Sequence, residues 1–493
     1  MKLQQAKAVE VSTRLTVRNL SFVSLFVLAA TVYQAQLGAF YTWDSDVYLI
    51  MANKLAHQFS LERSALYAPL YPLTISIPQM VGFDTNQAVQ TAWFISFFLI
   101  AVSAYLLSRS VVVAVMALLF LFATEATAFN YRYAWTEMGY AALLTTAISG
   151  LFIHITNTDN RKALLMFLIA LALLPVQRYI GGYMSFLLGL IFIGFSVDRK
   201  MFLRRSGMSA LAAIPTVLVI LHNYELSGHF AGKRSAAISG FVQNAELSWS
   251  TLVQSFQGEM VLVAVTITIS IIMVFRTEHQ RKLAVFLLLL ALLPVAQIIF
   301  QIISSSSVHI DQINERYFIV ITPVVFINIL IISLVWGQSR RRMFFTAVVV
   351  ALITNMLLGQ SDKFDRSQQS SQAATPLRQY LANLPVSEVG LYADETRHLL
   401  ADEVLTNKII PSSHCSSYQA IGDLTNSIAV FAPDCEQLPG HSYWPVTTTE
   451  EALRYPVILI FPIGNYFDFV GALHAQGYKL HRIETVLIME RDS

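Results

Sequence analysis

Apolar segments of membrane-crossing length recur along this chain, at 19–40, 88–108, 110–129, 137–155, 163–178, 181–197, 207–223, 259–275, 283–303, 317–336 and 343–359. A helix of about 20 apolar residues spans the hydrocarbon core of a bilayer and pairs its own backbone groups inside it. Strands of a membrane barrel need only about half that length. The chain therefore reads as a polytopic α-helical membrane protein with about 11 transmembrane helices. Composition agrees, since 55% of the 493 residues are hydrophobic and only 13% are charged, against about 25% charged in an ordinary soluble domain. A formal charge of +2 argues against a nucleic-acid partner, which would require a strongly basic surface.

With the N-terminus in the cytoplasm, 17 of the 24 Lys and Arg before residue 360 face the cytoplasm. That is the positive-inside bias. The first apolar stretch is too long for a cleavable signal, and Gln34, Gln36 and Phe40 make no small-residue cleavage site, so a permanent first helix is expected. The long loops, 41–87, 130–136, 224–258, 304–316 and everything from 360 on, then lie outside the cell, where function is sought. Residues 1–360 read as the transmembrane domain and 361–375 as a polar, Gln/Ser-rich linker. Residues 376–493 read as a small extracytoplasmic α/β domain. Its expected strands are 388–391, 427–431, 457–461 and 484–489, with helices near 394–405, 448–454 and 466–476; no glycine-rich phosphate loop opens any of them. From its position, this domain is expected to cover the outer ends of the helices. It also holds both cysteines, Cys415 and Cys435. A disulfide between them suits an oxidising compartment; the other reading is two buried small hydrophobes.

The first outer loop opens with Trp43-Asp44-Ser45-Asp46-Val47-Tyr48. Apolar residues at Tyr48, Met51, Ala52, Leu55 and Ala56 follow with helical spacing, which predicts an amphipathic helix along the membrane surface. Asp44 is expected just before that helix and Asp46 in its first turn, where carboxylates also serve as caps. Tyr67-Ala68-Pro69-Leu70-Tyr71-Pro72-Leu73 then starts an apolar segment too short for a crossing. A second surface helix is expected there, making a roof over a membrane groove.

Outer cations are few. Arg178, Lys233, Arg234 and Arg316 are candidates to hold an anionic headgroup, although interfacial arginines and lysines also simply snorkel. Glu137 ends the loop that runs through Asn130, Tyr131, Arg132, Tyr133 and Trp135. It is read either as a contact for a metal ion or other ligand or as the ion-pair partner of Arg132, and the aromatic residues either as an interfacial belt or as stacking surfaces. His309 and Asp311 invite a metal reading, but loop polarity explains them as well. No ligand spacing decides for or against a metal ion.

Four stretches resemble one family. Asp44-Ser-Asp46-Val-Tyr48 is similar to an acidic motif after the first helix, and Tyr67-Ala68-Pro69-Leu-Tyr71-Pro72-Leu to an aromatic, proline-rich segment in which Ala68 replaces a common proline. Arg178-Tyr-Ile-Gly181-Gly182 and Glu315-Arg316-Tyr-Phe-Ile-Val-Ile-Thr-Pro323 look like Arg-Tyr signatures at later helix ends. Together the chain resembles the polytopic GT-C glycosyltransferases, which include protein mannosyltransferases dependent on dolichyl-phosphate-mannose and bacterial lipid A aminoarabinose transferases. The resemblance implies a GT-C-like helix arrangement and inverting transfer of a sugar from a polyprenyl-phosphate-linked donor to a glycan, lipid or protein acceptor outside the membrane. It implies Asp44 as the base that takes the acceptor proton. Substrate-binding residues would be Asp46, Tyr48, Tyr71, Arg132, Glu137, Arg178, Lys233, Arg234 and Arg316. Some members of the family use a divalent cation and others do not, so a divalent cation is the one cofactor in question.

The alternatives are a transporter or flippase of lipid-linked saccharides and a non-catalytic scaffold. Helix centres almost free of charge and the lack of an internal repeat favour the enzyme over the transporter. The compact loops and the lack of retention signals point to a bacterial plasma (inner) membrane.

Overall fold

The structure, a computed structural model, describes residues 17–37, 43–58, 67–123, 125–230, 237, 239–276, 281–308, 313–336, 389–392, 443–445, 453, 457–460, 467–483 and 486–491. The first half of the chain is α1 (Val17–Leu37), α2 (Trp43–Gln58), α3 (Leu70–Met80), α4 (Thr85–Ser108), α5 (Val111–Ala123), α6 (Glu125–Asn130), α7 (Glu137–Thr156), α8 (Arg161–Gln177) and α9 (Gly181–Gly194). There follow α10 (Arg199–Ala212), α11 (Ile214–Ser227), α12 (Phe241–Ser255), α13 (Gln257–Arg276), α14 (Arg281–Ala291), α15 (Leu293–Ser307), a 3-10 turn at Glu315–Tyr317 and α16 (Ile321–Trp336).

The apolar windows from 19–40 to 317–336 each fall on one or two of these helices, and 343–359 lies outside the described residues. Among the described residues six stretches are long and apolar enough to cross a bilayer: 85–108, 137–156, 199–227, 257–275, 281–307 and 315–335. Helices at 111–122 and 181–194 are apolar but shorter. Two of the long stretches break once, before Pro215 and before Pro294, each near a helix start. Proline lacks the N–H that would continue the helical ladder, and a helix start is where that loss costs least.

At the centre, α7 is buried along nearly its whole length. Its small residues let neighbours approach closely, as helix packing in lipid requires. A Cβ at Gly150 would collide with the backbone of Ala163 and Phe167 on α8. Around it pack α4, α8, α9 and α16. The outward faces of α1, α11 and α13 instead expose large apolar side chains such as Leu25, Leu218 and Val261, which suits contact with lipid chains.

Contacts between helix ends, among them Asn53–Gln79–Thr85, Tyr67–Tyr179, Glu137–Arg178 and Glu259–Thr322, gather at one end of the bundle the starts of α4, α7, α13 and α16 with the roof helices α2 and α3. The opposite end gathers Arg18, Arg109, Arg161, Lys162, Arg199, Lys200, Arg281 and Lys282. Near the first of these ends, α2 begins at Trp43, so Asp44 stands inside the first turn and not ahead of it. The second roof helix forms as the sequence indicates, and Asp84 caps α4 in a reciprocal box with Gln87. Residues 224–258, read from sequence as loop, contain the end of α11 and all of α12.

The described parts of the C-terminal region form β1 (Val389–Tyr392), β2 (Tyr443–Pro445), β3 (Val457–Ile460), α17 (Phe467–Ala475), β4 (Tyr478–Ile483) and β5 (Val486–Arg491). The sheet order is β2-β1-β3-β5-β4. β1 runs parallel to β2 and β3, whereas β5 is antiparallel to β3 and β4. The expected strand at 427–431, the helix near 394–405, the helix near 448–454 apart from a turn residue at Leu453, and Cys415 and Cys435 lie outside the described residues.

Candidate active site

Glu137 starts α7, where the positive end of the helix dipole favours a carboxylate. Its side chain is only 3% exposed. One oxygen, Oε1, receives the Arg316 Nε–H at 2.7 Å and lies 3.2 Å from Arg178 Nη1. The other, Oε2, accepts from the Thr136 hydroxyl at 3.2 Å. The Thr136 carbonyl in turn accepts from Gln177 Nε2 at 3.0 Å. A Cβ at Gly139 would crowd the Gln177 amide, so a side chain there would push Gln177 away from the Thr136 carbonyl.

Arg178 is the residue at which α8 turns extended, with φ −157° and ψ 134°. A Cβ at Gly181 would collide with the Leu174 carbonyl, so the turn into α9 tolerates no side chain at that position. This is a physical reason for glycine three residues after the arginine. Arg316 lies in the 3-10 turn, which Asn314 caps by accepting the Arg316 N–H at 3.1 Å. Tyr317 is buried between the two arginines, with guanidinium-to-ring distances of 5.2 Å from Arg178 and 5.4 Å from Arg316. Trp135 covers Arg316 at 4.2 Å. Such cation–π contacts hold planar guanidinium groups in a defined orientation. Ser255 at the end of α12 donates to Glu315, tying the turn to a third element.

The aromatic surface continues from this cluster. Tyr133 stacks on Trp135 with centroids 3.9 Å apart. Next to Tyr133, Arg132 is wholly buried. Burial pulls its guanidinium down to about 10, with Tyr133 and Tyr33 pulling the other way, so it remains a cation at neutral pH. Tyr131 beneath it is buried and its hydroxyl is pushed up by desolvation.

The roof is tied to the same place. Tyr48 of α2 meets Tyr67 and Tyr71 edge-on, at 5.1 and 5.4 Å. The Tyr179 hydroxyl donates to the Tyr67 carbonyl at 3.0 Å and accepts from Asn223 at 3.0 Å. Tyr179 follows Arg178 in the chain, so the roof is fastened one residue from the ion-paired arginine. In the chain, Asp44 lies one helical turn before Tyr48 in α2.

Of the sequence-selected residues, the structure brings together Glu137, Arg178 and Arg316, joins Arg132 to them through Tyr133 and Trp135, and places Tyr48 and Tyr71 in the roof. The partners found for Glu137 are Arg178 and Arg316, and not Arg132, the partner in one of its two sequence readings. Asp44 and Asp46 are placed by the α2 backbone; Lys233, Arg234, His309 and Asp311 lie outside the described residues. Among the described residues no three His, Cys, Asp or Glu side chains gather as metal ligands.

Sequence reasoning missed Tyr179, Asn223 and Tyr317, although both tyrosines follow the selected arginines directly. It also missed Glu259, a fully buried carboxylate in the first turn of α13 that accepts from Thr322 at 3.2 Å. The available signal was an acidic residue at the start of an apolar span.

The fold of this helical bundle has solved counterparts. Two solved structures carry it, both of ArnT from Cupriavidus metallidurans. The crystal structure bound to undecaprenyl phosphate aligns over 97% of this chain and 98% of that one, with TM-score 0.55 and 12% identity. The apo crystal structure aligns over 95% and 97%, with TM-score 0.55 and 13% identity. At this identity the likeness is one of fold. No protein-family model matches the chain, and no curated protein sequence does.

Proposed function

We propose that the chain is an inverting glycosyltransferase that moves a sugar from a polyprenyl-phosphate-linked donor to an acceptor hydroxyl on a cell-envelope glycan, lipid or protein. The observation that carries this reading is the pair of guanidinium groups on Glu137 at helix ends, tied through Tyr179 to a roof whose first helix holds Asp44 in its first turn. Guanidinium groups suit a lipid phosphate at the membrane interface, and their value rises as negative charge develops on it. The ArnT neighbour in its undecaprenyl-phosphate complex lends support through a shared fold.

In this mechanism Asp44 accepts the proton of the acceptor hydroxyl as its oxygen attacks the anomeric carbon. The bond from that carbon to the phosphate oxygen breaks, and its electron pair stays with the phosphate beside Arg178 and Arg316. Arg132, Asp46, Lys233 and Arg234 are assigned to donor or acceptor binding, and Tyr48 and Tyr71 to the aromatic roof against which the sugar rests. If the enzyme uses a divalent cation, Asp46 is the first candidate to hold it. The basic residues at the opposite end of the bundle support a cytoplasmic placement for that end. The site then faces the exterior or periplasm of a bacterial inner membrane.

The test is transfer by purified protein in nanodiscs, given a panel of radiolabelled polyprenyl-phosphate sugars and extracted envelope acceptors. Wild type is expected to move label and Asp44→Asn to lose about 10²- to 10⁴-fold in rate, the range for a general base. Equal transfer by Asp44→Asn would remove Asp44 as the base. Donor binding without transfer by wild type would favour a scaffold or flippase.

A further inference from the structure

We propose that the starts of α8 and α10 form a docking surface for anionic phospholipid headgroups, which hold the α10–α11 stretch at a fixed depth in the bilayer. The surface lies at the end of the bundle opposite the ion-paired cluster and does not depend on the reaction proposed above.

Arg161 and Lys162 open α8, and Arg199, Lys200 and Arg204 stand in the first two turns of α10. All five side chains are exposed. The two helices pack against each other and start at the same end. Among the described residues none of the five forms an ion pair. The acidic groups of the bundle at this end, again among the described residues, are Asp159 and Asp198. Asp198 is engaged as a cap, accepting the Met201 N–H at 2.7 Å. The exposed surface therefore keeps a surplus of positive charge. Arg205 adds to it from inside, buried against the Phe192 carbonyl and ring. The other described cations at this end, Arg18, Arg109, Arg281 and Lys282, belong to α1, the end of α4 and α14. Arg161, Lys162, Arg199 and Lys200 stand in the first turn of their helices, where the positive end of the dipole disfavours a cation. Helix formation does not account for them, whereas an anion outside the protein does.

Direction and depth identify that anion. At about 100° per residue, Arg199, Lys200 and Arg204 fall within about 140° of one another with Leu203 between them, and Arg205 points the opposite way, into the bundle. The three exposed cations thus face away from the protein. The stretch 199–227 has 29 residues, about 43 Å of helix, against a hydrocarbon core of about 30 Å. Cations are costly in that core, so the surplus length lies at the start of α10 and sets them at the level of the headgroups. Val197, Phe202 and Leu203 are exposed beside them. Large apolar side chains mixed with cations suit the boundary between headgroups and acyl chains, not a soluble polyanion. The stretch buries little of itself against the bundle, yet near its far end Asn223 donates to the Tyr179 hydroxyl. Headgroups bound at its start steady the helix that carries Asn223.

The test is titration of the delipidated full chain in detergent with dioleoyl-phosphatidylglycerol or dioleoyl-phosphatidylcholine, with bound lipid counted by native mass spectrometry. Wild type is expected to bind the anionic lipid at least about tenfold more tightly, and added salt should shrink that preference. Replacing Arg199, Lys200 and Arg204 together by Gln should weaken binding by about fivefold per cation, whereas Arg18→Gln on α1 should leave it unchanged. Equal binding of the two lipids, a preference insensitive to salt, or an equal loss in Arg18→Gln would overturn the proposal and leave these residues as determinants of orientation during insertion. Displacement of the anionic lipid by an equal concentration of water-soluble glycerophosphoglycerol would also overturn it, since the acyl boundary would then play no part. Lys200→Gln alone serves if the triple variant does not fold, with about a fivefold loss expected and no loss counting against the surface.

Discussion

Each end of the helical bundle buries arginines, and the two ends satisfy them in different ways. At the basic end, Arg205 of α10 is 3% exposed, donates to the Phe192 carbonyl at 3.0 Å and lies over the Phe192 ring at 4.8 Å. Its partners are backbone and ring from the end of α9, so it acts as a latch between consecutive helices. At the other end, Arg178 and Arg316 come from distant parts of the chain and meet on one carboxylate. A backbone carbonyl cannot exchange its charge for that of a ligand, whereas a shared carboxylate can. Burial alone therefore does not mark a functional arginine; the kind of partner does.

Substitutions that treat the two ends alike should separate them. The largest effect is expected at Arg316→Ala or Arg178→Ala, with kcat/KM for sugar transfer lowered by about 10²- to 10³-fold, as for removal of one donor to a developing anion. Arg205→Ala should leave the transfer rate per folded molecule unchanged. A rate loss of the same size at Arg205 would erase the distinction between the ends. Arg316→Lys should fall between wild type and Arg316→Ala, because a point charge keeps the attraction but not the planar fork held by Trp135 and Tyr317.

Stability should respond in the reverse order. Arg205→Ala removes a charge-assisted hydrogen bond and is expected to cost about 1.5–3 kcal/mol, read as a lower Tm in detergent. Unchanged thermal unfolding would show that the latch does little. The smallest effect is expected where the roof is tied down. Tyr179→Phe removes one hydrogen bond to the Tyr67 carbonyl and one acceptor for Asn223, worth about 1 kcal/mol, or about fivefold. It should appear in KM for the donor more than in kcat, and a pure loss of kcat would place Tyr179 nearer the chemistry than the roof tie does.

The two ends also differ in how much of them was legible in the sequence. Helix positions followed from apolar length, and the basic end from charge alone, because both depend on local composition. Arg178 and Arg316 stood out as charges at the edges of apolar runs. Their meeting on Glu137 did not, since it depends on how α7, α8 and the 3-10 turn close in space, and the only ion-pair partner the sequence suggested was the nearby Arg132. The helix at 241–255 was hidden for another reason. Asn244 and Ser248 face inward while Val242, Trp249 and Val253 face out, an inversion of the soluble pattern that blurs the usual signal. The breaks before Pro215 and Pro294 were not anticipated, since 207–223 and 283–303 each read as one crossing, and the need for glycine at 181 emerged only once the Leu174 carbonyl was seen beside it.

The most direct measurement is a cryo-EM structure of the full chain in nanodiscs with undecaprenyl phosphate. The account requires the phosphate within hydrogen-bonding distance of both Arg178 and Arg316, beneath the roof formed by α2 and α3. A phosphate bound elsewhere, with the two arginines still closed on Glu137, would contradict it.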